Sequence, residues 1–144
     1  SEWCGGRIHR INDQIFHLMR GQIYTIEGHT FFTMGGAESA DKIRRKEGLS
    51  WWAREMPSNA EYVEAMANLA RHGNMVDYIV THCAPDSIQD ELSKGYYEHN
   101  KLTNYLEIVR QTITFKHWYF GHYHQDKDWI NRYSCLYDRV VELG

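Results

Sequence analysis

Two histidines that follow a short apolar run are the residues of this chain best suited to chemistry. The run at residues 115–120 has the length and aromatic content of a buried strand, and it leads into Gly121, His122 and His124. Gly121 is expected to allow a sharp turn, and histidines two apart point the same way where the backbone stays extended. The segment therefore predicts a metal-binding strand end. The alternative is a pair of surface histidines in a loop.

A second apolar run ends in a histidine in the same way. Residues 76–81 lead into His82, and Pro85 then stops the strand. Because ligands collect at the carboxyl ends of strands in open α/β sheets, two strands that each end in histidine can share one site. The intervening helix predicts a β-α-β unit with both histidines at one sheet edge. Cys83 should face the opposite side from His82, so a cysteine–histidine catalytic pair is not expected.

The two segments together resemble a known family. Thr-His-x-x-Pro at residues 81–85, followed by Gly-His-x-His at residues 121–124, resembles the carboxyl-terminal half of the calcineurin-like metallophosphoesterases. Trp-Cys-Gly-Gly at residues 3–6 and Gly-Gly-Ala at residues 35–37 resemble small bacterial and phage members of that family. The family's earlier motifs, Asp-x-His, Gly-Asp and Gly-Asn-His-Asp/Glu, do not occur here. We therefore expect residues 1–144 to form one incomplete domain that lacks its amino-terminal half.

The resemblance implies a metal-dependent phosphoesterase. Such enzymes hold two divalent metal ions, of the Mn, Fe, Zn or Ni type, which activate water to hydrolyse phosphomonoesters or phosphodiesters. By resemblance, His82 and His122 would bind one metal and His124 the other. The remaining ligands belong to the missing motifs, so no catalytic residue is assigned in this chain. Three histidines divided between two metals are fewer than stable sites use, so the isolated chain is expected to bind metal weakly and to be inactive.

Two other functions remain open at this stage. His82, His122 and His124 together would make a mononuclear zinc site with one open position, either catalytic or structural. Alternatively, the chain is a non-catalytic interaction module, in which an unpaired sheet edge favours a homodimer.

Composition limits the partners. The chain has 144 residues and a formal net charge of −3, so it carries no basic footprint for long nucleic acid. Three cysteines do not suggest a disulfide framework and fit a reducing cytoplasm. No apolar run approaches the length of a membrane span, so a membrane partner is not expected. A phosphoester is the expected substrate, and the sequence does not specify which one.

The pattern of elements predicts a mixed α/β (α+β) fold, a layered sheet with flanking helices. By resemblance it would be the carboxyl half of a metallophosphoesterase-type β-sandwich. Residues 8–36 have strand composition, with a hairpin turn at Glu27-Gly28. Helices are expected from Ser58 to about Gly73, over 87–93 and over 100–112. The predicted apolar face of the first helix is Tyr62, Val63, Met66, Leu69 and Ala70.

The other segments carry weaker expectations. The tail predicts strands at 129–134 and 135–143 after a turn at 126–128, where Asp126 and Asp128 are interpreted as solvated turn residues rather than ligands. Gly35-Gly36 is either a loop beside the metal edge or a simple tight turn. The charge run at 41–47 predicts a solvated face, and Trp51-Trp52 is interpreted as surface packing or as a lid over a substrate pocket.

Overall fold

The structure is a computed structural model that describes residues 1–37 and 55–143. The expectations for the charge run at 41–47 and for Trp51-Trp52 lie outside the described residues. Within these ranges, the chain folds as the expected mixed α/β arrangement, with a six-stranded mixed sheet and three helices.

The strands form two sheets. The smaller sheet contains, in spatial order, β1 (Glu2–Trp3), β2 (Gly6–Arg10) and β3 (Phe16–Leu18). The larger sheet has the order β4-β5-β6-β7-β9-β8. Its strands are β4 (Gln22–Ile26), β5 (His29–Met34), β6 (Tyr78–Thr81), β7 (His117–Phe120), β8 (Lys127–Trp129) and β9 (Tyr133–Cys135). Strands β5, β6, β7 and β9 run parallel, while β4 and β8 pair antiparallel at the two edges.

Local turn chemistry fixes the first hairpin of this sheet. Glu27 and Gly28 both have positive φ, 50° and 82°, and they connect β4 to β5. Two-residue turns with positive φ at both positions match the twist of paired strands, which confirms the predicted hairpin.

The three helices begin and end close to the predicted positions. Helix α1 (Asn59–Arg71) and helix α3 (Lys101–Thr112) each begin with a capping box, provided by Ser58 and Asn100. The short helix α2 (Asp86–Ser93) follows Pro85 and ends at a left-handed Lys94. None of these three helices, in the part of the chain that the structure describes, is long and apolar enough to cross a membrane.

The helices share one core with one face of the larger sheet. Alternate strand residues, such as Phe32, Ile79 and Trp118, pack in the same buried cluster as Leu69 of α1 and Leu106 of α3. The intervening strand positions lie on the other face because side chains alternate along a strand. On that second face, ring contacts connect four side chains in a row, Phe31, Tyr78, Tyr119 and His117.

The predicted apolar face of α1 is only partly correct. Tyr62 and Leu69 are buried, but Val63 and Met66 are 70% and 38% exposed, and Ala70 is also exposed. Ala65, which the prediction left out, is fully buried. A side chain at Gly21 would lie 2.9 Å from the Ala65 Cβ, so α1 approaches the β3–β4 turn closely. Helix α1 therefore packs closely through the small residue Ala65, and the side chains of Val63 and Met66 face outward.

The two predicted strands of the tail are present, but their bounds are wrong. Strand β8 begins at Lys127, inside the expected turn, and the actual turn falls at Ile130 and Asn131, whose φ values are 42° and 56°. Branched apolar residues rarely adopt positive φ, so the residue type at Ile130 gives no sign of a turn. After β9, residues 136–143 form no strand. The carboxylate of Asp126 instead accepts backbone hydrogen bonds from Tyr137 and Asp138, which holds this segment against the sheet.

Candidate metal centre

His82 and His122 follow two adjacent parallel strands. Tyr78 of β6 pairs with His117 of β7 in parallel register, so both strands end at the same edge of the sheet. The backbone N–H of Gly121 donates to the carbonyl oxygen of His82 across 3.0 Å and joins the two turns directly. These contacts confirm the predicted β-α-β unit with both histidines at one edge.

The two imidazoles lie within contact distance of each other. Nδ1 of His122 is 3.1 Å from Nε2 of His82, and the rings meet edge to face at 71° with their centroids 4.9 Å apart. Two nitrogens bound to one tetrahedral zinc at about 2.0–2.1 Å would lie roughly 3.3 Å apart. The observed separation therefore fits a pair of ligands to a single metal ion after a small adjustment.

Both imidazole rings are neutral at pH 7 because their surroundings lower the pKa of each ring. The pKa of His122 is lowered to about 4, mainly by burial and also by the neighbouring His82 and His124. Burial and His124 also lower the pKa of His82. Because a protonated imidazole has no free lone pair, neutrality at pH 7 is the state that metal ligation requires.

His124 does not point the same way as His122. The expected extended backbone is absent: φ is 68° at His122 and 54° at His124, both in the left-handed region. As a result, His122 faces His82, while the ring of His124 stacks on Tyr137 with centroids 4.9 Å apart. His124 remains close enough to influence the pKa of both other histidines.

Tyr123, between the two histidines, anchors the loop, and the sequence interpretation missed this role. Its side chain is buried, and its hydroxyl donates to Oε1 of Gln89 across 2.6 Å and accepts the backbone N–H of Ala84 across 3.1 Å. Its ring also contacts those of His122 and Tyr97 edge to face. The available signal was the alternation itself, since a large aromatic residue between two polar ones indicates an inward-facing anchor.

Hydrogen bonds of the Thr81 side chain hold the turn that carries His82. The Oγ1 of Thr81 accepts a 2.8 Å hydrogen bond from Nε1 of Trp118 and donates to the carbonyl oxygen of Cys83. The side chain of Thr81 therefore bridges β7 and the turn that carries His82. Cys83 faces away, as predicted: it is buried, its Sγ contacts the Gly36 carbonyl oxygen at 3.4 Å, and burial raises the pKa of its thiol to about 12.

The two glycine turns near the site differ in whether they need a glycine. Gly121 does not need to be glycine for space, because a Cβ there would meet Leu136 O and His82 Nδ1 only at 3.7 and 4.0 Å. Gly36 does need to be glycine: its φ is 112°, and a Cβ would lie 2.5 Å from the carbonyl oxygen of Glu55. Since Gly36 also contacts Cys83, the Gly35-Gly36 turn lies beside the histidine edge.

The nearby carboxylates have structural partners. Asp126 holds the tail, as described above, and Asp128 accepts hydrogen bonds from Ser134 and Arg139. These bonds, to Arg139 first, lower the pKa of Asp128 to about 2. Within residues 1–37 and 55–143, no group of three or more histidine, cysteine or acidic side chains is arranged to hold a metal ion.

Comparison with known proteins gave no match: no protein-family model, no curated protein and no solved structure is similar to this chain.

Proposed function

We propose that this chain provides the carboxyl-terminal ligands of a two-metal phosphoesterase site. The observation that carries the proposal is the contact between His82 and His122, two neutral imidazoles at the ends of adjacent parallel strands, 3.1 Å apart. The motif resemblance supplies the reaction class, and the parallel β6–β7 unit with helices on one face is compatible with the carboxyl half of a metallophosphoesterase-type sandwich.

In this proposal, His82 and His122 bind one metal and His124 binds the second. When bound, a pair of divalent ions neutralises phosphoryl oxygens and lowers the pKa of water near the phosphorus. The chain's own residues position these ligands. Tyr123 fixes the ring of His122 through Gln89 and Ala84, while Thr81 fixes the turn at His82. His124 must leave the Tyr137 ring to reach a metal.

Two imidazoles are fewer ligands than a stable site needs, since zinc usually has three or four protein ligands. The remaining ligands are therefore proposed to come from outside this chain, because the family motifs that would supply them do not occur in it. It follows that the chain studied alone binds metal weakly and does not turn over phosphoesters.

The first test is zinc titration of the chelator-stripped protein by calorimetry. His82→Ala and His122→Ala are each expected to weaken the tightest zinc site at least tenfold, since each removes one of two adjacent ligands. The matched control is His17→Gln. His9 and His17 form another adjacent imidazole pair, across β2 and β3 with centroids 5.7 Å apart, and this control should leave the site unchanged. Equal losses in all three variants would contradict the site.

The second test addresses the phosphoester directly. Inorganic phosphate is expected to bind the Mn²⁺-loaded protein and not the stripped protein, and His82→Ala should abolish the difference. If phosphate binding is independent of Mn²⁺ and of His82, the site is not a phosphoesterase site. Steady hydrolysis of p-nitrophenyl phosphate that His82→Ala abolishes would show that the chain carries a complete site.

A mononuclear zinc site of His82, His122 and His124 remains the second candidate. It requires His124 to turn away from Tyr137 and join the other two rings. Metal stoichiometry separates the two functions, because the mononuclear site gives one tightly held zinc per chain that all three alanine variants weaken.

A further inference from the structure

A cavity lies on the sheet face opposite the helices, away from the histidine edge. Its volume is about 340 Å³, and its wall includes His117 and Tyr119 of β7, Ser134 of β9 and Asp128 of β8. His117 begins β7, whereas His122 follows the end of that strand, so this β7–β9 cavity is separate from the candidate metal centre. Small-molecule sites in proteins have volumes of about 300–1,000 Å³.

A chain of hydrogen bonds fixes the polar groups of the cavity. The Ser134 hydroxyl donates to Oδ1 of Asp128 across 2.7 Å. Its single proton is then used, so the 2.7 Å contact to His117 must be a bond that Nε2–H of His117 donates. Burial lowers the pKa of His117, so the ring is neutral at pH 7 and its Nδ1 keeps a lone pair. Nδ1 of His117 is therefore the ring nitrogen that can accept a hydrogen bond.

The cavity carries one negative charge that no internal cation balances. Two carboxylates line it, those of Asp128 and Glu142. Arg139 pairs with Asp128 at 2.6 Å, whereas Glu142 has no ion-pair partner among the residues that the structure describes. No lysine or arginine lines the cavity. An anionic ligand would therefore meet repulsion, and a cation would gain both attraction and a hydrogen-bond acceptor.

The rest of the wall combines aromatic, aliphatic and amide side chains. The rings of His117 and Tyr119 both line the cavity, and they stack with centroids 4.5 Å apart and an interplanar angle of 29°. Ile130, Asn131 and Val141 complete the wall. An aromatic surface between aliphatic groups suits a planar ring, and its π-electrons attract a positive charge.

We propose that the β7–β9 cavity binds a small planar organic cation, of the aromatic amidine or amine class. Its ring lies against His117 and Tyr119, and its N–H groups face the carboxylate of Glu142. This proposal does not depend on the proposed phosphoesterase function, and its test is performed on stripped protein in the presence of chelator.

The test compares three probes of nearly identical shape: benzamidine (cationic), benzamide (neutral) and benzoate (anionic). We expect benzamidine to bind with a Kd below about 1 mM at low salt, as is typical for a good ligand of this size. Benzamide should bind at least tenfold more weakly, and benzoate should not bind. Amide chemical-shift changes should map to His117, Tyr119 and Ser134. Equal affinity of benzamidine and benzamide, or shifts that map elsewhere, would overturn the proposal.

A variant pair identifies the charge that recognises the ligand. Glu142→Gln should weaken benzamidine about tenfold and leave benzamide unchanged, because only the charged interaction is lost. Glu91→Gln is the matched control, since Glu91 is exposed on α2 and does not line the cavity. Both variants change surface residues, so neither should disturb folding. If the two variants weaken benzamidine equally, Glu142 is not the partner and the proposal fails.

Discussion

At the scale of single residues, the loop that carries His122 and His124 combines left-handed backbone conformations with a lowered histidine pKa. His122 and His124 both adopt positive φ, and such a conformation costs a non-glycine residue about 1 kcal/mol or more. The buried hydroxyl of Tyr123 supplies hydrogen bonds that offset this cost. Strain that the surroundings support in this way is typical of functional sites and is consistent with the proposed role of His122.

The depressed pKa of His122 predicts a pH-dependent stability. Its pKa is about 4 in the folded protein and about 6.5 in the unfolded chain, so the unfolded state takes up the proton first as the pH falls. The contribution of His122 to the free energy of unfolding is fully present above about pH 6.5. It falls by roughly 1–3 kcal/mol toward pH 4 for this partly buried ring.

Urea unfolding at pH 7, 6, 5 and 4, in the presence of chelator, measures this effect. The advantage of the wild-type protein over His122→Gln should shrink steadily across this range. His9→Gln, on an exposed strand position, serves as the control. Parallel stability curves for the wild type and His122→Gln would show that His122 does not titrate in this way.

At the scale of elements, Gly36, just after β5, lies close to the backbone of Glu55. This contact predicts that two glycine substitutions lower the free energy of unfolding by unequal amounts. Gly36 and Gly28 both have positive φ, so alanine at either position costs about 1 kcal/mol for the backbone. Only at Gly36 does the added Cβ meet another backbone atom, the Glu55 carbonyl oxygen at 2.5 Å, while Gly28 has open space. Gly36→Ala should therefore destabilise the protein by about 2 kcal/mol more than Gly28→Ala.

Chemical unfolding of both variants provides the measurement. Equal losses of unfolding free energy would mean that the segment after β5 shifts without cost. Because Gly36 also contacts Cys83, a parallel zinc titration should show weaker binding in Gly36→Ala and unchanged binding in Gly28→Ala.

Most elements could be predicted because their signals are local. The capping box at Ser58 predicted the start of α1, the amphipathic pattern predicted α3, and the Glu27-Gly28 pair predicted the first hairpin. The side chain of a helix cap satisfies backbone groups a few residues away, and a two-residue turn depends on the φ values that its own residues can adopt, so the sequence contains the whole signal.

The errors concern features that depend on distant contacts. Helix α1 packs at Ala65 against Gly21, far away in sequence, while Val63 and Met66 face outward. The turn at Ile130 and the direction of His124 depend on backbone conformations that their residue types rarely adopt. At the candidate site, the sequence predicted the shared edge of His82 and His122, but the contribution of Tyr123 is visible only when Gln89 and Ala84 lie beside it.

At the scale of the whole molecule, the two outer strands of the larger sheet are protected differently. The smaller sheet contacts β4, where the N–H of Thr25 donates to the Cys4 carbonyl oxygen across 2.8 Å. At the opposite edge, β8 pairs only with β9 among the described strands. This edge exposes the charged residues Lys127 and Asp128, and charges on an edge strand discourage pairing with a second chain.

Because β8 is the less protected of the two edge strands, the predicted homodimer would form through β8. The charge of Lys127 should weaken this association. Lys127→Val removes the charge and raises strand propensity, so it should tighten self-association about fivefold to tenfold, measured by sedimentation equilibrium. Lys127→Glu keeps an edge charge and should not tighten it. If neither variant changes the dissociation constant, then β8 is not the pairing edge.

The anchoring of Tyr123 has a consequence for redesign of this protein. The buried phenol fixes the position before it in sequence, His122, whereas the position after it carries an exposed ring that stacks on Tyr137. Under the proposed function, position 124 is therefore a replaceable ligand position next to a fixed one. An aspartate or a cysteine introduced there would change the hardness of the donor set, and hence the preferred ion, without repacking the interior.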